Sequence, residues 1–198
     1  MINILLAGVG GQGTVLAARV LAQAAQSKGW QVRTAETIGM AQRGGSVVSH
    51  VRMGSEGEPV HAPLVAPGTA DVIIAFEPGE ACRALGYLKQ GGSVVTAAAV
   101  VQPVTAALSS QAYRSEDMLA ALRRSLEGSE CKLEMVDAEP ILEQLGNRRA
   151  LNTVLLAATV ASGSVPLSVA ELKEAIAACV KPRFVEMNLT AVDAVAAL

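Results

Sequence analysis

Aromatic side chains are scarce in this chain. Five occur in 198 residues (Trp30, Phe76, Tyr87, Tyr113 and Phe184), and they are scattered. A stacking platform for single-stranded nucleic acid needs aromatic faces grouped on one surface, so that function is excluded. Charge is thin as well. Charged residues make up 17% of the chain, against about 25% in an average soluble protein. Lys and Arg number 16 and Asp and Glu 18, so there is no basic excess to meet a phosphate backbone. No unbroken apolar run reaches the roughly 20 residues of a membrane-spanning helix. The first residues, Met-Ile-Asn-Ile-Leu-Leu-Ala-Gly, have no basic flank and run at once into glycines. No secretory signal is read there.

Cysteines are few. Cys82, Cys131 and Cys179 stand far apart with no Cys-x-x-Cys pair, which excludes zinc or iron–sulfur ligation at the usual spacings. The odd, sparse count fits a reducing cytoplasm and core thiols. Gly-x-Ser-x-Gly and His-Glu-x-x-His are missing, as is any Ser–His–Asp order, so no hydrolytic constellation is present. No catalytic residue and no metal ligand is assigned to this chain.

What is abundant is apolar: 51% hydrophobic residues and a further 18 Gly. That excludes disorder, which requires low hydrophobicity and high net charge. It also implies surface that another chain covers. Ile2–Ala7 is a short apolar run ending in glycines, as a buried parallel strand would be. Thr14–Lys28 carries apolar residues at helical spacing and stops at Lys28-Gly29. Strands are expected at Gln31–Glu36, Ser46–Met53, Asp71–Phe76, Ser93–Val101 and Lys132–Asp137. Helices are expected at Glu77–Leu88, Ser115–Leu126, Pro140–Leu145, Arg148–Ala161, Ser168–Val180 and Pro182–Ala197. Gly54–Gly68 reads as a long loop. The mostly βαβ order specifies an α/β fold: a doubly wound, mostly parallel sheet with a Rossmann-like glycine loop and C-terminal helices. Residues 1–198 read as one domain.

The glycine loop is Gly8-Val9-Gly10-Gly11-Gln12-Gly13, with Thr14 opening the helix. It satisfies G-x-G-x-x-G between a strand and a helix. Gly8 would make the tight turn, Gly10 and Gly11 would let an anion approach backbone N–H groups, and Gly13 would permit close packing. The same glycines also serve simply to turn the chain. Glu36, at the end of the second strand, stands where a dinucleotide binder places its ribose-binding acid, and equally reads as a solvated strand end. The loop lacks a Gly-Lys-Ser/Thr ending, so it is not a P-loop. A second cluster, Gln42, Arg43, Gly44 and Gly45, combines a fixed cation, an amide and bare backbone N–H groups. At the carboxyl end of the second strand it would lie near the glycine loop and help to hold a phosphate or a carboxylate.

The residues Gly8–Thr14, Glu36-Thr37 and Gly39–Arg52 resemble the gamma-type domain of 2-oxoacid:ferredoxin oxidoreductases. The stretch Gly39-Met40-Ala41-Gln42-Arg43-Gly44-Gly45-Ser46 is most similar to the beta subunits of the indolepyruvate members. Asp71–Glu77 and Asn152–Leu156 also fall where the family has a strand-to-acid junction and an Asn-headed helix. The resemblance covers nearly the whole chain. It implies a subunit of a thiamine-diphosphate-dependent complex that decarboxylates a 2-oxoacid, passes two electrons to ferredoxin and releases an acyl-CoA. It implies a larger catalytic partner that carries thiamine diphosphate, magnesium and iron–sulfur clusters. The chain agrees with that division: it has no cluster cysteines and no Gly-Asp-Gly segment to hold the magnesium. It would not be active alone, and would supply assembly and coenzyme A or anion binding.

Two other classes stay open at this point. One is a free-standing NAD(P)-dependent oxidoreductase using Gly8–Gly13 and Glu36. The other is a non-enzymatic nucleotide-binding module. Among single residues, His50 reads as a half-buried strand histidine, Glu77 as a helix cap or a ligand contact, and Arg148-Arg149 as a solvated face. Asn152 reads as a core bridge or a contact across an interface.

Overall fold

The computed structural model describes residues 1–38, 45–99 and 114–198. Among these, the strands are β1 (Ile2–Val9), β2 (Gln31–Ile38), β3 (Ser46–Gly54), β4 (Ala70–Ala75), β5 (Leu88–Ala97) and β6 (Lys132–Val136). The helices are α1 (Thr14–Ser27), α2 (Pro78–Ala84), α3 (Ser115–Leu126), α4 (Glu139–Leu145), α5 (Leu151–Ala161), α6 (Val169–Cys179) and α7 (Pro182–Ala196).

The strands form one sheet in the order β2-β3-β1-β4-β5-β6. β1, β4, β5 and β6 are parallel neighbours. β3 runs antiparallel to both β1 and β2 and separates them. The expected mostly parallel α/β sheet is therefore present, with one reversed strand inserted.

β1 explains why the sheet sits in the middle of the molecule. Its residues alternate between two cores: Ile4 and Leu6 face α1, α5, α6 and α7, whereas Leu5 and Ala7 face α2 and α3. A strand buried on both faces must be apolar throughout, which is why β1 shows no alternation in sequence. The same logic governs α5. Asn152 through Val160 are all buried, and a helix apolar on every side belongs inside. α1 buries Leu21 together with Ala17, Ala18, Ala24 and Ala25, and these four small residues let it lie close to the sheet and to α6.

Helix ends follow local chemistry. α6 carries a capping box: the Ser168 hydroxyl accepts the Glu171 N–H, and the Glu171 carboxylate accepts the Ser168 N–H. Lys28, just past the end of α1, donates to that same carboxylate at 2.6 Å. α3 starts at Arg114 without a side-chain cap.

The long connection after β3 is pinned to the sheet. Val65 N–H donates to His50 Nδ1 at 3.2 Å, and the Arg52 guanidinium donates to the Ala62 carbonyl at 2.9 Å. His50 is buried, as a satisfied strand histidine should be. Burial holds its pKa below the usual histidine value. The three cysteines are free and half-buried; Cys82 and Cys179 pack at the margins of the cores, not inside them.

Candidate functional site: the carboxyl-edge crevice and its glycine loop

The carboxyl ends of β1, β4, β5 and β6 lie along one edge of the sheet, where open α/β folds bind ligands. The glycine loop connects β1 to α1 at that edge. Gly8 is still within β1, and a Cβ there would lie 2.9 Å from Thr14 Cγ2 and 3.1 Å from Phe76 Cβ. Close packing therefore demands glycine at this position. Gly11 and Gly13 have φ of 101° and 87°, the left-handed region that L side chains avoid. Gly13 abuts Asn152 of α5, so its packing constraint comes from a helix rather than from a strand. Thr14 is buried as the first residue of α1.

Gln12 stitches the loop. Its Oε1 accepts the Val9 N–H at 2.7 Å, and its Nε2 donates to the Phe76 carbonyl at 3.2 Å. Its own N–H donates to the Val9 carbonyl at 3.1 Å, and the Gly10 N–H donates to the Gly45 carbonyl at 3.0 Å. Three loop donors, those of Val9, Gly10 and Gln12, are thus spent within the fold. An anion would be met by Gly11, Gly13 and the first turn of α1.

Of the second glycine cluster, Gly45 is the member among the described residues, and the bond from Gly10 joins it to the first loop. Gln42, Arg43 and Gly44 lie outside the described residues. Ser46, which follows Gly45, donates its hydroxyl to Glu80 at 2.6 Å. Glu77 is fully buried and caps α2, accepting the Glu80 N–H at 2.9 Å. Cys82 lies on the same helix. Burial pushes its thiol pKa up, the Glu77 charge adds to the rise, and Arg83 partly opposes it. The rise disfavours the thiolate, which is the nucleophilic form of a cysteine.

Glu36 is not beside the glycine loop. Its cross-strand partner is Ser49, whose partner on β1 is Leu6. It sits two strands away, about 10 Å across the sheet at the usual strand spacing, and is exposed. The nicotinamide alternative used Glu36, at the end of the second strand, together with Gly8–Gly13, and β3 stands between β2 and β1.

A cavity of about 470 Å³ opens beside the loop. Gly11 and Gln12 form one wall, and Arg148 and Arg149 another. Phe76, Val136, Leu142 and Leu151 supply apolar surface. The size and mixed lining are those of a small-molecule site. Arg148 pairs with Glu139, which also lines the cavity. Both arginines are exposed, as a solvated face should be, but sequence reasoning missed that they also line this cavity. The only signal was their position at the carboxyl edge after β6. Asn152 is buried, with Oδ1 accepting the Thr153 N–H at 2.9 Å.

Among the described residues no group of three or more His, Cys, Asp or Glu is placed to hold a metal ion. No described helix is long and apolar enough to cross a membrane.

Comparison with known proteins agrees with the architecture. The family model described as pyruvate ferredoxin/flavodoxin oxidoreductase matches residues 3–198. Indolepyruvate oxidoreductase subunit IorB of Pyrococcus horikoshii is 40% identical over 192 residues, covering 96% of this chain and 92% of that one. The Archaeoglobus fulgidus subunit of the same name is 36% identical over 191 residues, covering 96% and 91%. The crystal structure of a keto/oxoacid ferredoxin oxidoreductase gamma subunit from Geobacter sulfurreducens superposes with a TM-score of 0.72 at 22% identity, over 100% of this chain and 97% of that one. With the family model matching residues 3–198 and relatives up to 40% identical over nearly their whole length, the chain belongs to the pyruvate ferredoxin/flavodoxin oxidoreductase family, as a small subunit of a 2-oxoacid:ferredoxin oxidoreductase.

Proposed function

We propose that the chain is the gamma-type subunit of an indolepyruvate-type complex. That complex oxidatively decarboxylates a 2-oxoacid with thiamine diphosphate, delivers two electrons to ferredoxin and forms an acyl-CoA. The whole chain acts as one cytoplasmic, hetero-oligomeric domain. Thiamine diphosphate, magnesium and iron–sulfur clusters belong to the larger partner. The residues here do not fit those groups: there is no Gly-Asp-Gly, no paired cysteines and, among the described residues, no metal-ligand cluster.

This chain supplies the anion-binding end of the coenzyme A site. The observation that carries this reading is the cavity flanked by the glycine loop on one side and Arg148 and Arg149 on the other. Backbone N–H groups and guanidinium forks are the two chemistries that recognise phosphate. Arg43, three residues before Ser46 in the sequence, is proposed as a third cation for the same anion. The segment of the same fold in the 2-oxoglutarate:ferredoxin oxidoreductase of Magnetococcus marinus lies in a protein whose structure holds coenzyme A.

The test begins with purification at native abundance and mass identification of companions. A co-purifying chain with thiamine diphosphate and iron–sulfur clusters is expected, with dye reduction that depends on indolepyruvate and coenzyme A. A lone, stable chain would overturn the subunit reading. In the complex, Arg43→Ala and Arg149→Ala should each raise the coenzyme A KM about tenfold, equivalent to about 1.4 kcal/mol. An unchanged KM and unchanged assembly in both would remove coenzyme A from this chain.

A further inference from the structure

We propose that Glu80 is a positioning residue for the glycine loop, acting through Ser46. Its carboxylate, on α2, is almost fully buried. Oε2 accepts the Ser46 hydroxyl at 2.6 Å, and Oε1 accepts the Arg83 guanidinium. Ser46 begins β3, and the carbonyl of the preceding Gly45 accepts the Gly10 N–H at 3.0 Å. Two hydrogen bonds, joined by the Gly45–Ser46 peptide, thus connect a buried charge to the backbone of the loop.

The loop's other attachment goes to the same place. Gln12 donates to the Phe76 carbonyl, and Phe76 lies directly before the Glu77 cap of α2. Both halves of the glycine loop are therefore referenced to the start of α2, one through Gln12 and one through Gly45, Ser46 and Glu80. Burying a carboxylate costs free energy unless it is paired and hydrogen-bonded. A hydroxyl and a guanidinium meet that need here. A plain helix–strand tie could use a neutral pair. A buried charge makes the Ser46 hydroxyl point one way only, and this fixes where the Gly45 carbonyl lies. If the Gly10 N–H were released, the loop would lose the bond that separates its internal donors from those at Gly11 and Gly13.

Ser46 itself is exposed, so Ser46→Ala removes the hydroxyl without leaving a cavity. The experiment uses the assembled complex and compares wild type, Ser46→Ala, Ser46→Thr and Glu80→Gln. Amide hydrogen exchange is read at Gly10 and at Ile4–Ala7, together with kcat and the coenzyme A KM. Ser46→Ala and Glu80→Gln should speed Gly10 exchange at least tenfold and leave Ile4–Ala7 unchanged, and Ser46→Thr should restore protection. Unchanged Gly10 exchange in Ser46→Ala would overturn the proposal. So would a loss of protection spread evenly over β1, which a merely structural tie would give.

The kinetic part rests on the coenzyme A reading, and there a raised KM at constant kcat is expected. Faster Gly10 exchange with an unmoved KM would support the clamp and overturn the coenzyme A reading, so the two failures are distinguishable.

Discussion

Gly13 and Asn152 meet at the base of the crevice: a Cβ on Gly13 would lie 2.9 Å from Asn152 Nδ2. The φ of Gly13 is 87°, a conformation that costs an L residue about 1–2 kcal/mol. Gly13→Ala should therefore destabilise the chain by about 2 kcal/mol in urea denaturation. Part of that penalty is the contact with Asn152. The double variant with Asn152→Ala should fall short of the summed losses by about 1 kcal/mol, as for residues in direct contact. Strict additivity would show that backbone strain alone is at work.

Ser49 makes the opposite prediction. It is fully buried in β3, and its hydroxyl has no hydrogen-bond partner among the described residues. An unpartnered buried hydroxyl is a cost. Ser49→Ala should leave stability unchanged or raise it by up to about 1 kcal/mol. A clear loss on chemical denaturation would reveal a partner for the hydroxyl.

Acid should weaken the tie between α1 and α6. The hydrogen bond from Lys28, with those from Ser168, lowers the Glu171 pKa from 4.5 to about 2. The unfolded chain takes up this proton near pH 4.5 and the folded chain only near pH 2. The contribution is complete above pH 4.5 and is lost as pH falls from there to about 2. Denaturation midpoints of wild type and Glu171→Gln should differ at pH 7 and converge across that window. A constant difference would exclude the carboxylate charge as the source.

His50 acts at higher pH. Burial lowers its pKa below 6.5, so the folded state keeps the imidazole neutral, with Nδ1 accepting from Val65. As pH falls below 6.5 the unfolded chain binds the proton first, and stability declines until the folded value is reached. Between pH 7.5 and 5.5 the melting temperature of wild type should fall more steeply than that of His50→Phe. The comparison concerns slopes, since the variant also loses the Val65 hydrogen bond. Parallel slopes would rule out His50 as the titrating group.

Much of this was legible in the chain because local chemistry decides it. Ile2–Ala7 had to be buried on both faces, and Lys28-Gly29 had to stop a helix. Glu77 before Pro78 marked the start of α2, although the helix ends at Ala84 and passes into a 3-10 turn at Leu85–Tyr87. The Gly91-Gly92 pair looked like punctuation before a strand. It lies inside β5, where the register against β4 shifts, because glycine also accommodates a bulge. The place of β3 was hidden for a different reason. A period of two tells which face a side chain takes, not which strand lies alongside. Glu36 was therefore assigned to a neighbourhood that belongs to Ser49. Arg148 and Arg149 were hidden because only the tertiary fold carries them to the glycine loop.

The reversed strand also bears on how this fold is tuned. β2 and β3 form an antiparallel ribbon whose Ile38–Val47 end lies level with Gly8 of β1, and only one side of it is fixed to β1. Adding two residues to each arm would advance that end by about 7 Å, at 3.4 Å per residue, while every side chain kept its face. Removing two would withdraw it by the same step. The rest of the sheet need not move. Reach toward a bound molecule or a neighbouring subunit thus becomes an adjustable length, set in increments of two residues, provided the bonds of Gly45 to Gly10 and of Ser46 to Glu80 are kept.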